Sequence, residues 1–225
     1  MALLWLPLDD PTIDAMSALA RLPWGQSELD TTWGLTGWPA PGGEPPSKRV
    51  FERYEYAMDV GERRVALQMS FSPDLITGFL TDFAAFCEAA GPDDPDLVDL
   101  LHPQGVYSEW QVDAHAGRAR FDAVWADGYQ RLENRLGAPA LSGHHADRWQ
   151  HAAWRIGSRL LVIAQGEDFG SHGLYDAAYL AAVDYPAEAN LPVGDRLYGL
   201  LVGGRARSDD RDAVDRPTST ADPSS

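Results

Sequence analysis

Two stretches that turn at a glycine are the clearest pattern along the chain. The first alternates apolar and polar residues from Val50 to Phe71 around a turn at Gly61, and the second runs from Arg148 to Gln165 around a turn at Gly157. A two-residue repeat on both sides of a glycine turn is typical of a β-hairpin. The sequence therefore predicts two hairpins.

Three other segments are predicted to be strands or strand cores. Leu160 to Ala164, inside the second hairpin, is apolar at every position, which is expected of a central strand that is covered on both faces. Leu174 to Asp184 is predicted to form another strand, and Thr31 to Trp38 an edge strand. The Pro- and Gly-rich residues 39–47 between these patterns are predicted to form a loop.

Apolar residues at helical spacing predict the remaining elements. Asp10 is suited to cap the first helix, and Pro11 fits its first turn. Leu75, Phe79 and Phe83 form the apolar stripe of a later helix. The predicted helices cover Asp10 to Leu22, Ser72 to the residue before Gly91, Asp94 to Leu101, Ala114 to Leu136 and Asp195 to Val202.

These elements predict an α+β fold, an antiparallel sheet built from the two hairpins plus extra strands and backed by helices. Both hairpins begin with Arg and an aromatic residue, place Arg two residues after the turn glycine, and end in Gln. This match indicates a distant internal duplication. Residues 1–203 are predicted to form one domain, and residues 204–225, which lack periodicity and aromatic residues, a disordered tail.

The net charge of −16 changes the picture of the partners. An acidic surface repels phosphates and anionic lipid, which argues against nucleic acid and membranes and favours a basic protein. Carboxylates are concentrated at two places, Asp93, Asp94 and Asp96, and Glu167 and Asp168. Cys87 is the one cysteine, so no internal disulfide forms. With no signal-peptide pattern and no long apolar run, these features predict a cytoplasmic protein.

Candidate chemistry is sparse. The phosphate-binding loops and the nucleophile elbow are absent from the sequence. Asp168-Phe169-Gly170 matches the kinase magnesium triplet, but none of the other kinase motifs accompanies it. His144, His145, His151 and His172 are the best candidates for a metal or acid-base site, yet adjacent histidines in a loop do not readily share one ion. We therefore expect no catalytic site, no metal and no cofactor.

Tryptophans provide a candidate interface. Trp33 and Trp38, like Trp149 and Trp154, are five residues apart, a spacing that on a strand places the two rings on opposite faces. One ring of each pair is then free to be exposed. Exposed aromatic rings beside carboxylates suit an interface with a basic protein. Trp149 and Trp154 therefore join the acidic clusters as predicted partner-binding residues.

The second half resembles a known group of proteins. FDAVWADGYQRLENRLGAPAL, from Phe121, and WQHAAWRIGSRLLVIAQGEDFG, from Trp149, are similar to small actinobacterial proteins of unassigned activity, several families of which are regarded as immunity partners of secreted polymorphic toxins. The resemblance covers residues 118–184 and includes no diagnostic functional motif. It implies an immunity protein that binds a toxin domain, and it assigns no individual residue a role.

Three hypotheses of function remain. The first is a non-enzymatic immunity or inhibitor protein that neutralises a basic toxin domain. The second is a secretion-system chaperone or adaptor, which needs a larger exposed apolar groove. The third is an enzyme with a site between His144 and His172. An adjacent toxin gene favours the first hypothesis, and an adjacent secretion locus favours the second.

Overall fold

A computed structural model describes residues 1–69, 75–88, 109–145, 149–167 and 175–203. In this part of the chain, nine strands form one sheet in which all pairs are antiparallel. The strands are β1 (Ala2–Trp5), β2 (Ala57–Val60), β3 (Arg63–Met69), β4 (Ile76–Cys87), β5 (Gln111–Asp113), β6 (Leu141–His145), β7 (Trp149–Ile156), β8 (Arg159–Glu167) and β9 (Asp176–Asp184).

The sheet consists of two meanders that meet at its centre. The strand order is β2-β3-β4-β9-β8-β7-β6, and β1 pairs with both β4 and β5. Both predicted hairpins, β2–β3 and β7–β8, are thus confirmed, and each continues into a third antiparallel strand, β4 or β9. The strand predicted over Leu174 to Asp184 is confirmed as β9. The internal duplication stays a prediction. The arrangement of two joined meanders is consistent with it.

Within the described residues, five α-helices accompany the sheet, so the α+β prediction is confirmed. Their bounds are α1 (Asp10–Arg21), α2 (Leu29–Leu35), α3 (Pro46–Arg53), α4 (Arg118–Leu136) and α5 (Asp195–Gly203), with a short 3-10 turn at Pro41–Gly43. Helix α1 is capped by Asp9 rather than by Asp10, because the Asp9 carboxylate accepts from the Thr12 backbone N–H at 3.0 Å. The long helix and the closing helix are confirmed as α4 and α5.

The helix predicted to begin at Ser72-Pro73-Asp74 is wrong, because Ile76 to Cys87 form the central strand β4. This strand is buried along most of its length on both faces. A strand covered on both faces has no polar alternation, so its apolar residues also satisfy a helical spacing. Cys87 is accordingly the last residue of a strand, and it is partly buried.

Two predictions before the first hairpin are also wrong. Thr31 to Trp38 do not form an edge strand, because Leu29–Leu35 are helical and bury Trp33. Val50 belongs to helix α3, so the first strand of the hairpin begins only at Ala57. The predicted loop over residues 39–47 contains the 3-10 turn and the start of α3.

Helices cover both faces of the sheet. Helices α1 and α4 pack on one face against residues such as Leu161 and Ile163. Helix α5 packs on the opposite face against residues such as Leu160 and Val162. Since these four residues alternate along β8, the prediction of a central, doubly covered strand is confirmed.

A pair of arginines fixes the two ends of α1. Arg63 donates to the backbone carbonyls of Leu6 and Pro7, just before α1, and it is 6% exposed. Arg159 donates to the carbonyls of Ala20 and Leu22 at the other end of the helix. Burial lowers the pKa of both guanidinium groups. These are the arginines that follow the turn glycine by two residues in each hairpin, and both lie on the α1 face of the sheet.

Several expectations concern other parts of the chain. The helix predicted over Asp94 to Leu101 and the tail over residues 204–225 lie outside the described residues. The described helices include none that is long and apolar enough to cross a membrane.

Candidate functional site

Carboxylates gather where β8 ends and β9 begins. Glu167, the last residue of β8, lies directly opposite Asp176, the first residue of β9. Asp122 reaches the same place from the first turns of α4, since Arg118 contacts both Asp122 and Asp176. We name Asp122, Glu167 and Asp176 the carboxylate cluster. Glu167 is exposed, whereas Asp176 is 8% exposed.

Arg118 holds two members of the cluster in place. Its Nη1 donates to Asp176 Oδ2 at 2.6 Å, and its Nε donates to Asp122 Oδ1 at 3.2 Å. Its guanidinium lies 5.1 Å from the centre of the Phe121 ring, which covers one side of the charge. A charge-assisted pair in a partly buried place is stronger and better fixed than one in open solvent. The cluster is therefore pre-organised.

Gln165 ties the cluster to the sheet. This side chain is 2% exposed, donates from Nε2 to Asp122 Oδ1 at 3.0 Å, and accepts from the Gln150 backbone N–H at 3.3 Å. One carboxylate oxygen of Asp122 thus receives donors from both α4 and β8. The site links the start of α4 to the second meander at fixed geometry.

An aromatic pair lies beside the cluster on the α5 face. The rings of Trp149 and Tyr198 stack with centroids 5.6 Å apart and an interplanar angle of 12°. Gly166 leaves room for them, since a Cβ at that position would lie 3.2 Å from Tyr198 Cε2. Burial, followed by the negative charges of Glu167 and Asp176, raises the pKa of Tyr198. The phenol therefore holds its proton more tightly than a tyrosine in solvent.

The tryptophan prediction is partly confirmed and partly wrong. Trp149 and Trp154 do lie on opposite faces, but they are 5% and 4% exposed because helices cover both faces. Trp154 donates from Nε1 to the Gly137 carbonyl at 2.7 Å. The other pair lies on and just after α2, where Trp33 is buried and contacts Trp38 with ring centroids 5.3 Å apart. Neither Trp149 nor Trp154 is an exposed anchor in this structure.

Two of the candidate histidines do not converge. His144 and His151 lie on opposite faces of the sheet, because Gly143, the register partner of His151, directly precedes His144 in β6. His151 is buried and His144 exposed. His172 lies outside the described residues. Within the described ranges, no group of three or more His, Cys, Asp or Glu side chains is arranged to hold a metal ion.

Of the predicted acidic residues, Glu167 lies in the carboxylate cluster. Asp93, Asp94, Asp96 and Asp168 lie outside the described residues. Sequence reasoning missed Arg118, Asp122 and Asp176. The spacing of Arg118 and Asp122, four residues apart in a predicted helix, was the available signal for one contact. No local pattern relates Arg118 to Asp176, which comes much later in the chain.

Comparison of the chain with protein-family models, curated proteins and solved structures gives no match.

Proposed function

We propose that this chain is a non-enzymatic inhibitor of the immunity-protein type and that its carboxylate cluster binds cationic side chains of a basic toxin domain. The observation that carries the proposal is the gathering of Asp122, Glu167 and Asp176 at one end of the sheet. Arg118 and Gln165 hold the inner carboxylates, while Glu167 is exposed. Glu167 is therefore the member that an approaching arginine reaches first, and a carboxylate accepts a charge-assisted hydrogen bond from arginine.

The distribution of positive charge supports a cationic partner. Arg63, Arg155 and Arg159 direct their guanidinium groups at backbone carbonyls of their own chain. Arg135 forms a two-bond pair with Asp14, with distances of 2.8 and 2.6 Å. These hydrogen bonds occupy guanidinium donors within the chain, and the ion pair offsets the charge of Arg135. A chain of net charge −16 then attracts cationic proteins at long range.

The alternatives have less support. A chaperone groove needs continuous exposed apolar surface. The large apolar side chains that the described surface exposes are instead spread over separate segments, and include Leu35, Val112 and Val193. The third hypothesis places an enzyme site between His144 and His172, but His144 and His151 lie on opposite faces of the sheet and do not act together there.

The test measures binding to the product of the neighbouring gene, at several salt concentrations, by surface plasmon resonance. We expect the association rate to fall steeply with salt and the dissociation rate to change much less. Glu167→Lys should slow association about tenfold at low salt, because it reverses the charge of the exposed carboxylate.

Glu188→Lys is the matched control. Glu188 is also exposed, but it follows the far end of β9, so the same change in net charge should have a much smaller effect. Equal slowing by both substitutions would show that net charge alone matters. No binding, together with no rescue of cells that express the toxin domain, would reject the proposed function.

A further inference from the structure

Tyr54 combines an unfavourable backbone with an exposed ring. It follows the last residue of α3 with φ of 58° and ψ of 34°, and in the described chain it is the single non-glycine residue with positive φ. A bulky residue in the left-handed region is strained. The Tyr54 side chain is nevertheless 71% exposed, so burial of its ring does not offset that strain.

Tyr56 extends the same surface. It is 40% exposed and lies directly before β2, the outermost strand of the first meander. Ion pairs of 2.7 Å fix the chain on both sides of Tyr54, from Arg49 to Glu55 and from Arg53 to Glu44. We name Tyr54 and Tyr56 the tyrosine surface. Its backbone is held in place, so binding there costs little ordering entropy.

The charge of this region differs from that of the rest of the chain. Residues 44–64 include five basic side chains and five acidic ones, a net charge of 5 − 5 = 0, whereas the whole chain has −16. Arg63 is buried, so the accessible charges of the region sum to 4 − 5 = −1. These charges are Lys48, Arg49, Arg53 and Arg64 against Glu44, Glu52, Glu55, Asp59 and Glu62.

We propose that the tyrosine surface binds a second copy of this chain in a two-fold symmetric dimer. Two chains of charge −16 repel one another, so they meet most easily where local charge balances. Tyrosine and arginine are also the side chains most enriched at the energetic centres of protein interfaces. A two-fold contact uses the same patch on both chains, which a surface of nearly balanced charge permits.

This inference is independent of the proposed function. The tyrosine surface adjoins β2 at the outer edge of the first meander, whereas the carboxylate cluster lies at the end of β8 in the second. Salt distinguishes the two contacts because its effects are opposite in sign. Screening weakens attraction between the carboxylate cluster and a basic partner, but it relieves repulsion between two copies and strengthens self-association.

The test is sedimentation equilibrium of the full chain at low and high salt. We expect reversible dimers whose dissociation constant falls as salt rises. Tyr54→Gly should raise that constant at least tenfold, since an aromatic anchor is lost. The melting temperature of dilute protein should stay the same or rise, because glycine adopts positive φ without strain. Tyr56→Ser should also weaken the dimer.

Val112→Ser is the control, since Val112 is 48% exposed on β5, outside the tyrosine surface, and its substitution should leave the dimer intact. A wild-type chain that stays monomeric at high salt and at the highest attainable concentration would overturn the proposal. Dimers that Tyr54→Gly does not weaken would overturn it as well. Glu167→Lys should leave the dimer at least as strong as in the wild-type chain, which separates this result from that of the toxin-binding test.

Discussion

The two meanders use one arginine in the same way, but they place the corresponding glutamine on different faces of the sheet. Arg63 and Arg159 begin β3 and β8, lie on the same face, and bind opposite ends of α1. The hairpin glutamines do not correspond in this way. Gln165 points to the α4 side and binds Asp122, whereas Gln68 points to the other face and donates to the Leu201 carbonyl of α5.

The difference follows from spacing. Gln68 comes five residues after Arg63, an odd number, and Gln165 comes six residues after Arg159, an even number. Because strand side chains alternate between faces, one extra residue sends the glutamine to the opposite side. A repeated sequence motif therefore predicts equivalent positions only where the number of residues between its members is the same in both copies.

The strongest test of the arginine equivalence is removal of each side chain. Arg63→Ala and Arg159→Ala should each lower the free energy of unfolding by about 3 kcal/mol, because each leaves carbonyls at one end of α1 without their donor and opens a cavity. Arg159→Ala also loses a guanidinium 3.8 Å from the Trp24 ring centre. Urea denaturation measures both losses.

The double variant tells whether the two arginines act on the same helix. If both serve to hold α1, the combined loss should be smaller than the sum, because a helix released at one end has less to lose at the other. A strictly additive loss would contradict that common role. Arg64→Ala is the control, since its side chain is 61% exposed and should cost well under about 1 kcal/mol.

The third strand of the second meander, β9, has a buried tyrosine at a position where the third strand of the first meander, β4, has an aspartate. Tyr179 of β9 is fully buried, whereas its register partner in β4, Asp82, is partly exposed. Burial is the main cause that raises the pKa of Tyr179. The folded protein therefore holds this proton more tightly than the unfolded chain, in which tyrosine titrates near pH ~10. The resulting stability is complete below that pH and is lost as pH rises above it.

Tyr179→Phe should remove this part of the alkaline sensitivity. Above pH ~10, the free energy of unfolding of the wild-type chain should fall faster than that of the variant, by about 1.4 kcal/mol per pH unit. Urea denaturation between pH 8 and about 11 measures the difference. Parallel profiles for wild type and Tyr179→Phe would refute the assignment.

The smallest effect concerns the hairpin turns. Gly61 and Gly157 have φ of 60° and 62°, and a Cβ at either position would meet no atom within 4 Å. Gly61→Ala and Gly157→Ala should therefore cost the same, about 1 kcal/mol each, through backbone strain alone. Gly34→Ala, in α2 without positive φ or a close neighbour, should instead stabilise the protein. Thermal denaturation checks all three, and clearly unequal losses at the two turns would show that the hairpins differ there.

The sequence predicted the second meander far better than the first. Aromatic and aliphatic residues on both sides of a glycine turn identify β7 and β8, and the apolar segment of β9, residues 177–183, is of strand length. In β4, by contrast, Phe79 and Phe83 lie at helical spacing although Thr77 and Thr81 favour a strand. The choice between them depends on β9, which pairs with β4 and is distant in sequence. Local patterns do not include that pairing.

The candidate site was predictable to a smaller extent. Glu167 belongs to an acidic pair that is visible in the sequence. The residues around it, however, come from four other elements, and they are Asp122, Trp149, Asp176 and Tyr198. The sequence predicts that one ring of the Trp149 and Trp154 pair can be exposed, because it shows which residues share a face of the strand. It does not show which helices cover each face. Only the packing of α5 places Tyr198 over Trp149. Burial of a side chain on a strand depends on what covers each face, and that is a property of the whole fold.

The pairing of β4 with β9, the last strand in the sequence, also has a consequence for synthesis of the chain. When β4 leaves the ribosome, β1 and β3 are already available as partners, but Phe79 and Leu80 must wait for Ala182 and Ala181. During that interval one side of a long apolar strand has open hydrogen-bonding groups, which is the arrangement that promotes aggregation. Chains interrupted before β9 should therefore depend on chaperones, and completion of the sheet coincides with the arrival of its last strand.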